Sequence, residues 1–218
     1  MRPAGAAATL FAVALAALEL ESPVAAAETE MEMRAATTRY RFIELSRSLD
    51  SGVVFDALYS GEPGLNEAYV GLGYDVSSSD RASVIPILYA VAGREYGERG
   101  ATLGFLADVD HRKAHLVLFA GHFWPARGEI RGYTFVDSLD LTRKMGRLEL
   151  GVSAAAFEDD GAIQRVAGPV LKYDDRQGTW SFAARFGDER ELRVTRTLAL
   201  GHTSRPRAPL RAHPPRVD

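Results

Sequence analysis

From residue 66 to about residue 200, apolar and polar side chains alternate in short runs separated by Gly, Asp and charged clusters. Residues 67–76 are the clearest run. Ala68, Val70, Leu72, Tyr74 and Val76 share one face, and Glu67, Tyr69, Gly71, Gly73 and Asp75 share the other. A period of two is the signature of a strand, whose successive side chains point to opposite faces. The pattern returns at 101–110, 147–156 and 179–187, and more weakly at 53–59, 82–92, 114–124, 133–141, 166–173 and 191–198. Turn signals divide these segments, among them Ser77-Ser78-Ser79-Asp80, Asp159-Asp160-Gly161 and Gly187-Asp188-Glu189. Strands of about ten residues exceed the usual five or six of globular sheets. Consecutive strands of this kind predict an all-β fold, an antiparallel up-and-down β-barrel of about ten strands within a range of 8–12.

The pattern changes at both ends. Phe42, Leu45 and Leu49 fall at helical spacing, with Gly52 placed to end the turn. They predict a short amphipathic helix over 39–50, with a first strand as the rival reading. Residues 1–27 carry Arg2, an apolar run from Ala6 to Leu18 and a closing Ala25-Ala26-Ala27, the three parts of a secretory signal cleaved after Ala27. The run is short of the roughly 20 residues a membrane helix needs. The expected organisation is therefore a signal at 1–27, an N-terminal segment at 28–52, a barrel at 53–200 and a Pro/Arg-rich, solvated tail at 201–218.

Alternation alone does not say which face is inside. A soluble barrel turns its apolar face inward; an outer-membrane barrel turns it toward lipid. Three features favour lipid. Gly71, Gly73, Gly104, Gly151 and Gly187 lie on the polar face, where glycine weakens an exposed strand but makes room in a narrow lumen. That face carries both signs of charge, in Glu67, Asp75, Asp108, Arg147, Glu149 and Arg185. Tyr74, Trp124, Phe157, Tyr173, Trp180 and Phe186 sit near segment ends, as an aromatic girdle requires. The expected lumen-facing set is Glu67, Gly71, Gly73, Asp75, Arg147, Glu149, Gly151 and Arg185.

In its signal, in Tyr69-Val70-Gly71-Leu72-Gly73-Tyr74 and in Trp180-Ser181-Phe182-Ala183-Ala184-Arg185-Phe186, the sequence resembles small bacterial outer-membrane β-barrel proteins. The resemblance is to a class and covers most of the chain from Asn66. It implies an outer-membrane location and contact with membrane lipid or lipopolysaccharide. Members of that class usually end on a strand with a terminal aromatic residue; here the last expected strand ends Leu198-Ala199-Leu200.

Composition narrows the chemistry. The chain has no cysteine, which excludes disulfides, thiolate metal sites and a lipid anchor on Cys. A net charge of −3 argues against a nucleic-acid partner. Asp108, Asp110, His111 and His115 gather around one turn as the strongest metal-ligand types, but their spacing matches no established loop. His122, beside Phe123 and Trp124, is the leading candidate for a general base, with Ser138, Ser153, Asp137 and Glu149 as conceivable partners. The mixed charges of Asp137, Asp140, Arg143 and Lys144 read as a solvated hairpin end. No sequence feature calls for a cofactor. The leading expectation is a non-enzymatic envelope barrel with a structural, narrow-transport or binding role. A soluble periplasmic barrel holding a small apolar ligand is the first alternative, and a barrel-embedded enzyme acting on envelope lipid the second.

Overall fold

The computed structural model describes residues 28–62, 65–77, 81–94, 99–126, 132–159 and 161–200. They form twelve strands: β1 (Glu28–Ala36), β2 (Arg41–Ser48), β3 (Val53–Glu62), β4 (Leu65–Tyr74), β5 (Ala82–Arg94), β6 (Arg99–His111), β7 (Ala114–Pro125), β8 (Tyr133–Met145), β9 (Leu148–Asp159), β10 (Ala162–Asp174), β11 (Gly178–Gly187) and β12 (Arg190–Leu200). Each strand pairs antiparallel with its sequence neighbours, and β1 pairs with β12 to close the barrel. Closure leaves no sheet edge with unpaired backbone groups. Gly146 (φ 69°) and Gly161 (φ 83°) supply left-handed backbone in the tight hairpins flanking β9.

The ten expected strands are β3 to β12. The count of about ten and the helix over 39–50 are both corrected, because the chain from Glu28 to Ser48 forms two further strands and the described residues contain no helix. In β1, Met31 and Met33 alternate with Glu30, Glu32 and Arg34, a period of two hidden by its run of charges. In β2, Phe42 turns inward and is buried while Ile43 is exposed. An isolated helix of about a dozen residues is marginal, whereas β2 gains hydrogen-bonded neighbours on both sides. The expected signal at 1–27 and tail at 201–218 lie outside the described residues.

The two faces of the sheet settle which way the apolar side chains point. Leu72, Leu88 and Leu103 stand side by side on β4, β5 and β6 and are 55%, 60% and 49% exposed. Leu141, Leu150, Val152, Phe182 and Leu192 are exposed likewise, while Glu67, Thr102, Glu149, Ser153 and Arg185 are buried. An apolar exterior around a polar-lined interior suits lipid; water-soluble proteins rarely expose so extensive an apolar surface. The soluble-barrel alternative needs the opposite orientation.

One side of the interior is mostly apolar, with Asp56, Glu67 and Thr102 buried among its rings and aliphatic chains. Phe42, Leu58, Tyr69, Ile87, Tyr89, Val91, Phe119 and Phe123, from β2 to β7, pack into one buried cluster. Tyr89 lies between two glycines. A Cβ on Gly71 would come within 2.5 Å of its ring and one on Gly104 within 2.6 Å. The ring has little freedom to retreat, because its hydroxyl donates to Asp56 Oδ2 at 2.5 Å. Gly71→Ala is therefore expected to destabilise the barrel by about 1–3 kcal/mol through overpacking. Urea unfolding of the refolded protein in detergent micelles, followed by tryptophan fluorescence, measures this; an unchanged midpoint would contradict the packing.

Candidate functional site: a polar ladder along β8

β8 changes parity partway along. Tyr133 and Phe135 point inward, since Tyr133 hydroxyl bonds to Glu67 at 3.0 Å and Phe135 packs on Phe119. Farther along, Asp140 and Thr142 are the inward residues, and Leu139 and Leu141 are exposed. The switch falls at a β-bulge. Val136 pairs with Ala156 but Leu139 with Ala154, so Asp137 and Ser138 share the space opposite one residue of β9. Bulges re-aim side chains in this way. Asp137, which regular alternation beyond Leu139 would send outward, thus presents its carboxylate to the lumen.

That carboxylate is the meeting point of three strands and a turn. Asp137 Oδ2 pairs with Arg34 Nη1 of β1. Asp137 Oδ1 accepts from Arg193 Nη1 of β12 at 3.3 Å and from the Tyr40 hydroxyl at 3.2 Å. The Asp137 carbonyl oxygen accepts from Arg193 Nη1 at 3.3 Å and Arg185 Nη1 at 3.4 Å. Arg185 of β11 also donates to Ser153 Oγ through Nε at 2.9 Å and Nη2 at 2.6 Å, and to Glu191 at 3.2 Å. Ser153 donates to Asp140 at 2.5 Å, and Lys172 of β10 pairs with Asp140 at 3.0 Å.

The ladder continues toward the end where Thr29 and Leu200 pair. Thr142 donates to Glu149 at 2.6 Å, and Lys144 pairs with Asp110 at 2.6 Å and Glu149 at 3.8 Å. His115 Nδ1 bonds Glu149 at 2.8 Å and Nε2 bonds Asp108 at 2.9 Å. Asp108, Asp110 and His115 are thus close together, but both imidazole nitrogens are spent on carboxylates and Lys144 occupies Asp110. His111 is exposed at the end of β6. Among the described residues no group of three His, Cys, Asp or Glu side chains is arranged to hold a metal ion.

The remaining singled-out residues divide between lumen, rim and exterior. Glu67 is buried and accepts from Tyr69 and Tyr133, and Gly71 and Gly73 abut Ile87. The position of a Cβ on Gly151 is filled by the backbone of β8. Asp75 lies past the end of β4. Bonds from Ser77 N at 2.8 Å, Ser83 Oγ at 2.9 Å and Val84 N at 3.3 Å outweigh its partial burial and hold its carboxyl below the usual value. Arg147 is exposed in the β8–β9 turn. His122 faces outward beside Trp124, its Nδ1 2.8 Å from Thr134 Oγ1. Ser153 and Glu149 face the interior, away from His122, so the residues considered as its catalytic partners do not assemble around it. Tyr74, Trp124, Tyr173, Trp180 and Phe186 are exposed. Phe157 instead packs its ring 5.0 Å from that of Tyr133.

Sequence reading missed Arg34, Tyr40, Lys172, Glu191 and Arg193. It also placed Asp137, Asp140, Arg143 and Lys144 in a solvated hairpin end. Arg143 is exposed and Lys144 part-exposed beside the β8–β9 turn, whereas Asp137 and Asp140 lie inside the barrel on β8. The signal for the bulge was present in the letters. Aromatic Tyr133 and Phe135 sit at odd positions of the inward face, then Leu139 and Leu141 take odd positions of the outward face.

No protein-family model matches the sequence, and no curated protein matches it. Solved structures do match. The KdgM porin superposes with a TM-score of 0.58 at 9% identity, covering 80% of this chain and 99% of that one. The NanC porin gives 0.54 at 10% identity, covering 81% and 100%. At such identities the likeness is one of fold. With its apolar exterior and closed antiparallel sheet, the chain is built as an outer-membrane β-barrel, on the architecture that these two porins share.

Proposed function

We propose that the protein is a narrow outer-membrane channel that passes small polar solutes along the ladder beside β8. The observation that carries this reading is the division of the lumen. An apolar cluster occupies the β2–β7 side and takes in Tyr133 and Phe135 at the start of β8, and paired charges follow the rest of β8 from Lys144 to Asp137. That span is about 23 Å of strand, which when tilted covers somewhat more than half of a hydrocarbon core about 30 Å thick. A route with charges of both signs offers a polar solute exchangeable partners at each step, while the aromatic filling keeps it narrow. The KdgM porin has been solved in complex with disordered oligogalacturonate, which supports a place for polar solutes in a barrel of this fold.

Planar-bilayer recording and vesicle swelling test the reading. The purified barrel is expected to give small, discrete currents in potassium chloride. It should admit glycine or a monosaccharide while excluding a trisaccharide. Absence of current at every salt concentration, together with no swelling in glycine, would overturn the channel.

A further inference from the structure

We infer that Asp137 is a tethered counter-ion seated in an anion-binding site made by Arg34, Arg193 and Tyr40, and that small carboxylate solutes take its place. The inference rests on the channel reading and names the chemistry its ladder selects.

Each guanidinium is anchored by something other than Asp137. Arg34 Nε is paired with Glu32, which leaves Nη1 for Asp137. Its Cζ lies 4.1 Å from the centre of the Phe42 ring. Arg193 is gripped by Glu191 through Nε at 2.9 Å and Nη2 at 3.2 Å, again leaving Nη1. Its Cζ lies 4.8 Å from the centre of the Tyr40 ring. Stacking on an aromatic face and a dedicated carboxylate both hold a guanidinium in place. The two guanidiniums therefore have supports that do not depend on Asp137.

Asp137 is held differently. It stands on the bulge, outside the regular pairing of β8 with β9. Its side chain is 15% exposed, against 7% for Arg34 and 8% for Arg193, so it is more exposed than either guanidinium. Its two oxygens satisfy separate donors, Oδ2 that of Arg34 and Oδ1 those of Arg193 and Tyr40. A free carboxylate has the same two oxygens in the same plane. Exchange of one carboxylate for the other keeps Arg34, Arg193 and Tyr40 partnered, while the displaced Asp137 carboxylate, still charged and tethered on the bulge, gives up these donors for water in the lumen. That added negative charge is the cost the solute has to outweigh.

The test compares the intact chain with Asp137→Asn, using acetate as the probe. Asn keeps the shape and removes the competing charge. The temperature at which the folded barrel is lost in detergent should rise with acetate in Asp137→Asn, at about tenfold lower concentration than in the parent chain. Adding Arg193→Gln should abolish that response. In bilayers, Asp137→Asn should shift permeability several-fold toward anions, and acetate should reduce its chloride current. Asp137→Ser serves if the Asn variant does not refold. Equal acetate responses and equal ion selectivity in parent and variant would overturn the site while leaving the channel intact. Acetate binding by Asp137→Asn without current in either protein would overturn the channel and leave the site.

Discussion

Arg185→Ala is expected to cost the barrel about 2–5 kcal/mol, the size associated with truncating a large buried side chain and leaving its hydrogen-bond partners one donor short. Arg185 is 2% exposed and is the largest of the fully buried side chains. Its Nε and Nη2 both bond Ser153, and its Nη1 reaches Glu191 and the Asp137 carbonyl. Alanine would leave Asp140 with Lys172 and Glu191 with Arg193, so two acids keep a cation each. The loss falls instead on Ser153 and the Asp137 carbonyl, and on the void left by a long side chain between β8, β9 and β12. Arg185→Lys should recover only part of the stability, because an ammonium restores the charge without the planar fork that reaches Ser153, Glu191 and Asp137 together. Urea titration of the refolded barrel in micelles gives both values. A loss below about 1 kcal/mol for the alanine variant would mean that the ladder is solvated and contributes little.

Two kinds of information in the sequence had different fates in the fold. Period-two patterning is set by the backbone alone, so β4, β6, β9 and β11 were legible from runs such as Ala68 to Tyr74 and Trp180 to Phe186. Polar-face glycines were legible too, and Gly71 and Gly104 prove to flank the Tyr89 ring. The strands that escaped notice were those in which charge masked the period. Met31 and Met33 lie among Glu30, Glu32 and Arg34 in β1, and Phe42, Leu45 and Leu49 imitate a helical stripe in and beyond β2. The site was less legible still, for a physical reason. Asp137, Arg34 and Arg193 are brought together by closure of β1 on β12 and by one bulge in β8. Closure joins residues more than a hundred positions apart, and a bulge reverses the faces of everything after it. Asp108 and His115 stand on the paired strands β6 and β7, and Glu149 reaches His115 from β9 across β8, yet spacing could not reveal that the two carboxylates would consume both imidazole nitrogens.

Leu88→Arg should impair insertion and stability in lipid by about 2–4 kcal/mol, as a charge at the midplane of a membrane barrel does. Leu88 occupies the middle of β5 and is 60% exposed, between Leu72 and Leu103 on the flanking strands. No exposed acid stands opposite it in that row, and a guanidinium reaching from the barrel's mid-height must deform the bilayer to find water. The same substitution on a soluble barrel would place an arginine in water and change stability by less than about 0.5 kcal/mol. Position along the strand gives the internal control. Val76 is exposed just beyond the end of β4, where Val76→Arg should cost no more than about 1 kcal/mol because the charge meets the interface. Folding yields into phosphatidylcholine vesicles, read by the heat-dependent gel shift, rank the three proteins. The lipid-facing assignment requires the parent and Val76→Arg to fold alike and Leu88→Arg to lag; equal yields for all three would mean that the leucine row faces water.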